Sequence, residues 1–128
     1  MKKILIIEDS PLQRAVIVNI VKELGFEPFP VEEFQVSFVP LLQKHGIDLV
    51  LLDLLLVDEQ GNVIADGFQV CAELKNAKPE IKIIVITAEN DTSAKEFAEL
   101  QGADAFITKP FQVDKLATCI KSIGISNV

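Results

Sequence analysis

The stretch Asp48-Leu49-Val50-Leu51-Leu52-Asp53 decides the fold of this chain. Its central residues are all apolar, a pattern that favours a β-strand buried on both faces of a parallel sheet. Asp53 stands where the apolar run stops, and therefore at the carboxyl edge of the sheet, where open α/β sheets bind ligands. Because Asp is also common as a cap or turn residue, the rest of the chain must decide between a structural and a chemical role.

The composition describes one acidic domain. The chain has 128 residues, of which 49% are hydrophobic, and a net charge of -7. A chain of this length can bury roughly two thirds of its unfolded surface in one core. The acidic charge argues against nucleic-acid binding, because phosphates are repelled where no basic patch exists. No apolar run is long enough to span a bilayer, so we expect no membrane contact.

Both cysteines, Cys71 and Cys119, fall in helical apolar patterns and lack metal-ligand spacing. We therefore predict reduced core thiols rather than a disulfide, which suits the cytosol. The single histidine, His45, precedes Gly46 at a predicted helix end and is assigned no chemistry.

Strands and helices alternate along the sequence. Besides the opening stretch, apolar runs predict strands at 4–7, 26–31, 81–86 and 105–108, and helical patterns occur at 10–24, 34–45, 67–75, 93–101 and 113–123. The strand at 26–31 contains prolines and suits a sheet edge. Alternation of this kind predicts a doubly wound α/β fold, with a five-stranded parallel sheet and helices on both faces.

Three of these helices carry more specific predictions. In the first, Ser10 and Gln13 have capping-box spacing around Pro11, and the predicted apolar stripe is formed by Leu12, Val16, Ile20 and Leu24. In the second, Pro40 either kinks the helix or begins a shorter one. In the fourth, Ser93 and Glu96 again have capping-box spacing.

Polar residues close the predicted strands, and in a parallel sheet these ends meet at one edge. They are Glu8 with Asp9, Asp53, Thr87 and Lys109. Three carboxylates so close would repel by about 4 kcal/mol per pair at ~4 Å and an effective dielectric near 20, so the cluster predicts a cation site. All-oxygen ligation with open positions favours Mg²⁺. Mg²⁺ and Lys109 can neutralise phosphoryl oxygens and Thr87 can donate to one, which suits phosphoryl transfer onto Asp53.

The chain resembles the receiver domains of bacterial two-component response regulators in several segments, in the family's order. These segments are 4–10, 48–54, 66–71, 84–88 and 102–111. The resemblance implies a flavodoxin-like sheet of strand order 2-1-3-4-5, and a phosphoryl group delivered to Asp53 by a histidine kinase or a histidine phosphotransfer protein. It implies a signalling domain that assists its own phosphorylation and dephosphorylation rather than an independent enzyme. Residues 1–128 would form one receiver domain without an output domain, acting on a downstream protein or on an output domain that is separate or removed.

The resemblance also assigns roles to individual residues. Mg²⁺ would be held by Asp9, Asp53 and the main-chain carbonyl of Leu55, and Glu8 would bind it through water. Thr87 and Phe106 would move together on phosphorylation and reshape the surface of the fourth helix, fifth strand and fifth helix. Lys109-Pro110 resembles the family's cis peptide.

The pattern departs from the family at two places. Extra residues lie within Leu56–Ala65, where Gly61-Asn62 predicts a small hairpin. This hairpin is either a tolerated surface insertion or an element that shields the phosphoryl group or selects the kinase. Glu8 stands where Asp is commoner, which keeps the charge and adds one methylene.

Other interpretations fit parts of the pattern. Glu8 and Asp9 could serve only the dipole of the first helix. Thr87 could be only a strand end, Lys109 only a solvated surface charge, and Phe106 only a core residue. A dehalogenase-like phosphohydrolase also uses an aspartyl phosphate, but those enzymes resemble one another in a second Asp two positions after the nucleophile, where this chain has Leu55. A receiver-like docking domain that is never phosphorylated would not need all of these groups.

Overall fold

The computed structural model describes residues 1–31, 37–57, 60–88 and 92–126. In chain order its elements are β1 (Lys3–Ile7), α1 (Pro11–Glu23), β2 (Glu27–Pro30), α2 (Val39–Lys44), β3 (Leu49–Leu52), β4 (Leu55–Val57), β5 (Val63–Asp66), α3 (Gly67–Ala77), β6 (Lys82–Thr87), α4 (Thr92–Leu100), β7 (Ala105–Thr108) and α5 (Val113–Ser122). Five strands form a parallel sheet of order β2-β1-β3-β6-β7. Counting these strands alone gives the predicted 2-1-3-4-5 order.

The sheet separates two hydrophobic clusters because successive side chains of a strand point to opposite faces. On one face, Leu5, Val50 and Ile83 pack with residues of α2, α3 and α4. On the other face, Ile4 and Leu49 pack with residues of α1 and α5. The predicted doubly wound fold with helices on both faces is therefore confirmed, with β2 at one edge as its prolines indicated.

The predicted stripe of α1 is wrong for two of its members. The buried residues are Ile17, Ile20 and Val21, whereas Leu12 is 77% and Val16 is 51% exposed. Residues spaced four apart drift by about 40° per step around a helix with 3.6 residues per turn, so a row of such positions leaves the buried face. Side chains at mixed spacings of three and four stay on it, as these three do.

The beginnings of two other helices differ from the simplest expectation. α2 begins at Val39 with Pro40 in its first turn, so Pro40 starts a short helix, and residues 34–36 of the longer predicted helix lie outside the described residues. α4 begins at Thr92, which places Ser93 inside the first turn, and the capping-box prediction there is wrong. Positions 90–93 read Asn-Asp-Thr-Ser, all favourable cap types, so spacing alone could not select the cap.

The extra residues after β3 form a hairpin, as Gly61-Asn62 predicted. β4 and β5 are antiparallel, with Leu55 opposite Asp66 and a register shift after Leu56. Leu56 is only 1% exposed and belongs to the core cluster of α2 and α3. The hairpin is therefore anchored in the hydrophobic core at its base.

The prediction of free thiols also holds in the part of the chain that the structure describes. Cys71 is buried, Cys119 is half-buried, and both are free thiols. Burial raises the pKa of Cys71 to about 11, so it stays protonated at neutral pH. None of the helices described is long and apolar enough to cross a membrane.

Candidate functional site

The three predicted carboxylates meet at the carboxyl edge of the sheet. β1 and β3 pair in register from Ile4↔Leu49 to Ile7↔Leu52, and the amide of Asp53 donates to the Ile7 carbonyl at 3.0 Å. The residues that follow these two strands are thereby held side by side. One oxygen from each of Glu8, Asp9 and Asp53 lies within 4.8 Å of the others. Glu8 is 4% exposed and Asp53 is 9% exposed.

Lys109 joins the cluster from the fifth strand of the parallel sheet. Thr87 and Thr108 are paired at the ends of β6 and β7, and the amide of Lys109 donates to the Thr87 carbonyl at 2.8 Å. The Lys109 Nζ donates to Asp53 Oδ2 at 2.9 Å and also to Glu8 Oε1. The peptide bond between Lys109 and Pro110 is cis, as the resemblance implied.

Burial and charge shift the pKa values of two of these groups. Burial is the main cause that raises the pKa of Glu8 to about 7, and the neighbouring charge of Asp53 adds to it, while Lys109 opposes it. Burial alone would lower the pKa of Lys109, but its hydrogen bonds and ion pairs with Glu8 and Asp53 raise it. Lys109 is therefore a permanent cation at neutral pH, and it balances part of the negative charge of the cluster.

The carboxylate cluster fits a small divalent cation. Its donors are all oxygens, they come from separate segments, and their spacing allows one ion to reach all three. No histidine or cysteine belongs to the group, which makes zinc a poor match and Mg²⁺ a good one.

The other predicted residues take different places. Thr87 is 2% exposed at the end of β6. Phe106 lies in β7 and packs, partly buried, against the core cluster of α2, α3 and α4. Leu55 begins β4, two residues after Asp53. Phe106 also lines a surface groove of about 700 Å³ between α4 and α5.

Sequence reasoning missed several contacts around Glu8 and Lys109. Ser10 Oγ accepts from the Gln13 amide at 3.3 Å, so half of the predicted capping box is present. The Ser10 amide, however, donates to Glu8 Oε2 at 3.3 Å, and the Gln13 side chain accepts from Lys109 Nζ instead. Arg14 Nη1 donates to the Glu8 carbonyl at 3.1 Å. The spacing of Ser10 and Gln13 predicts only a local cap. The contact between Gln13 and Lys109 has no local sequence signal, because the two residues are 96 positions apart.

Gly67 is a second residue whose role was missed. A Cβ at this position would lie 2.5 Å from the Asp53 carbonyl oxygen and 2.5 Å from Leu54 Cα. The Gly67 amide donates to the Leu54 carbonyl at 2.9 Å. The start of α3 therefore packs directly on the backbone of the candidate phosphoacceptor, and the base of the hairpin is part of this contact.

Comparison with known proteins agrees with this arrangement. The family model described as the response regulator receiver domain matches residues 4–121. The chain is 29% identical over 123 residues to the heme response regulator HssR of Staphylococcus aureus strain MRSA252, covering 96% of this chain and 51% of that protein. It is 36% identical over 83 residues to HssR of strain bovine RF122 / ET3-1, covering 65% of this chain and 34% of that protein. The chain thus spans about half or less of the length of these relatives.

Solved structures share the fold. The Vibrio cholerae chemotaxis protein CheY4 superposes with a TM-score of 0.82 at 19% identity, over 96% of this chain and 98% of that one. A CheY-like receiver domain protein from Methanospirillum hungatei JF-1 gives 0.79 at 23% identity, over 95% and 92%. At these identities the solved structures show only that the fold is shared. The family is shown by the match of the family model to residues 4–121. The chain belongs to the response regulator receiver domains of two-component systems.

Proposed function

We propose that this receiver domain accepts a phosphoryl group on Asp53 from a histidine kinase or a histidine phosphotransfer protein, in a reaction that depends on Mg²⁺. The observation that carries the proposal is the meeting of three carboxylates with the Lys109 ammonium at one edge of the sheet. Asp53 follows the central strand β3 and is one of the two acids that Lys109 contacts, which supports its role as the acceptor.

The transfer needs one bond made and one bond broken. A carboxylate oxygen of Asp53 forms a bond to phosphorus while the bond from phosphorus to the donor imidazole nitrogen breaks and leaves its electron pair on that nitrogen. Lys109 stabilises the charge on the phosphoryl oxygens, and the buried Thr87 hydroxyl donates a hydrogen bond to one of them. Both groups are held in place by the ends of β6 and β7 before the phosphoryl group arrives.

The acidic residues would hold the metal. Asp9, Asp53 and the main-chain carbonyl of Leu55 are proposed as direct ligands, and Glu8 as a ligand through water. Bound Mg²⁺ supplies positive charge that neutralises the phosphoryl oxygens and the acids. Without it, Lys109 pairs with two of the three carboxylates, so the cluster carries an excess of negative charge that a divalent cation would relieve.

Two surface grooves support a role in protein docking. One, of about 480 Å³, runs beside Lys109 and is lined by exposed Leu12 and Val16 together with Phe111. An apolar surface at this position suits a phosphodonor protein whose histidine must reach Asp53. The groove beside Phe106 suits a target that senses the proposed movement of Thr87 and Phe106. The domain would then act as a cytoplasmic signalling module rather than as an independent enzyme, on a downstream protein or an output domain.

Intact-mass measurement after treatment with acetyl phosphate and Mg²⁺ tests the proposal. Wild-type protein should gain the mass of one phosphoryl group, and Asp53→Asn should not. Chelation of Mg²⁺ should prevent the gain in wild type. Labelling at another residue, or labelling of Asp53→Asn to the same extent, would contradict the assignment. With beryllofluoride, NMR signals near Thr87 and Phe106 should shift only when both Asp53 and Mg²⁺ are present.

A further inference from the structure

Gln13 completes the set of hydrogen-bond acceptors around the Lys109 ammonium. An ammonium group has three N–H donors and no acceptor. In this structure its partners are Asp53 Oδ2, Glu8 Oε1 and Gln13 Oε1. Since the donors are matched by three acceptors, an incoming phosphoryl oxygen can bind Lys109 only if one of these acceptors leaves.

Gln13 is the acceptor that can leave most easily. Until its oxygen bonds to phosphorus, Asp53 is an acidic group with little exposure, as Glu8 is, and each adds charge attraction to its hydrogen bond with Lys109 that a neutral amide lacks. Gln13 is a neutral amide on the exposed surface of α1, where water can satisfy it after release. Its backbone stays fixed, because its amide donates to Ser10 Oγ at the start of α1.

We propose that Gln13 is a positioning residue that occupies, in the unphosphorylated domain, the place on Lys109 that a phosphoryl oxygen takes. It holds the ammonium over Asp53 and also competes with the phosphoryl group, so it sets how readily the site is filled. This inference rests on the proposed phosphorylation of Asp53 and adds a determinant from α1 to it.

Substitutions at Gln13 test the competition, because the proposal predicts opposite changes in phosphorylation rate for Gln13→Ala and Gln13→Glu. Gln13→Ala removes the competitor, so Asp53 should be phosphorylated by acetyl phosphate about threefold faster, and beryllofluoride should bind about threefold more tightly in Mg²⁺. Gln13→Asn, which is one methylene too short for the contact, should behave like Gln13→Ala. Gln13→Glu adds a carboxylate that retains Lys109 and repels the phosphoryl group, so both quantities should fall by about tenfold.

Matched controls separate this effect from charge and stability. Gln43→Glu makes the same charge change at an exposed position of α2 and should leave both quantities unchanged. Melting temperatures of the Gln13 variants should stay near that of wild type, since the side chain is exposed. A slower reaction in Gln13→Ala, or rates equal to wild type in all Gln13 variants, would overturn the inference while the proposed function stands. Loss of labelling in wild type itself would instead overturn the proposed function.

Discussion

Burial of the Glu8 carboxyl group makes its ionised form unfavourable. Its side chain is almost fully removed from water, and it shares Lys109 with Asp53. Burial therefore raises its pKa to about 7 despite the ion pair with Lys109. The carboxylate of Glu8 accepts from both Lys109 and the Ser10 amide.

The raised pKa of Glu8 predicts how stability depends on pH in metal-free protein. The fold favours the protonated acid, so this stability is fully present below about pH 4.5 and is lost as the pH rises through about 7. In urea unfolding, the contribution of Glu8 to the free energy of unfolding should fall by about 3 kcal/mol over this range. Glu8→Gln should remove most of this slope, and Glu99→Gln, at an exposed position of α4, should retain it. Equal slopes in Glu8→Gln and wild type would contradict the assignment.

Gly67 is predicted to tolerate no larger side chain. The Cβ of Gly67→Ala would meet backbone atoms of Asp53 and Leu54 at 2.5 Å, and backbone cannot rotate away as a side chain can. We expect a loss of about 2–3 kcal/mol in the free energy of unfolding and slower phosphorylation of Asp53 by acetyl phosphate. Gly46→Ala is the control, because its Cβ would meet nothing within 4 Å and only the positive φ of 62° is unfavourable. That variant should cost about 1–2 kcal/mol and leave phosphorylation unchanged.

At the scale of elements, the sequence was most informative where burial is continuous. β1, β3 and β6 are apolar on both faces, so their positions and the residues at their ends were predicted within about one residue. Helix faces were harder, because several apolar rows exist on α1 and only packing against the sheet selects Ile17, Ile20 and Val21. The contact between Gln13 and Lys109 had no local signal, since it depends on where two distant strand ends meet.

The β4–β5 hairpin begins two residues after Asp53 in the chain. Its base is fixed by the buried Leu54 and Leu56, and Asp66 Oδ1 accepts from the Phe68 amide at 2.9 Å, which caps α3. Residues 60–63, in contrast, are exposed. The base of the hairpin therefore lies beside the Asp53 backbone while its outer part is exposed, and shortening the hairpin decides between a shield for the phosphoryl group and a tolerated insertion.

Replacing residues 57–64 with an Asn-Gly turn tests this role, because it keeps Leu56 and removes the outer hairpin. If the hairpin shields the phosphoryl group from water, the half-life of phosphorylated Asp53 after donor removal should fall roughly fivefold, which corresponds to about 1 kcal/mol of barrier. The melting temperature should change little, since the anchoring side chain remains. An unchanged half-life together with an unchanged preference among histidine kinases would show that the insertion is merely tolerated.

At the scale of the whole molecule, the fold concentrates negative charge at one edge of the sheet, which the composition alone does not predict. A net charge of -7 is spread over 128 residues, but the winding of the sheet brings acids from β1 and β3 to one edge. The Lys109 side chain extends from the end of β7 and contacts Asp53. Hydrophobic clusters on both faces of the sheet hold this edge together against its own repulsion. A ligand that relieves the repulsion should therefore stabilise the entire domain.

Mg²⁺ is predicted to raise the melting temperature for this reason. At a concentration about tenfold above its Kd, binding to the folded state alone contributes about 1.4 kcal/mol. For a domain of this size that corresponds to a shift of about 5 °C in differential scanning calorimetry. Asp9→Asn should abolish most of the shift, because it removes a proposed direct ligand, while Asp114→Asn, which removes the same charge from an exposed position on α5, should keep it. An equal shift in Asp9→Asn and wild type would place the bound ion elsewhere, and the carboxylate cluster would then lose its proposed role in holding the metal.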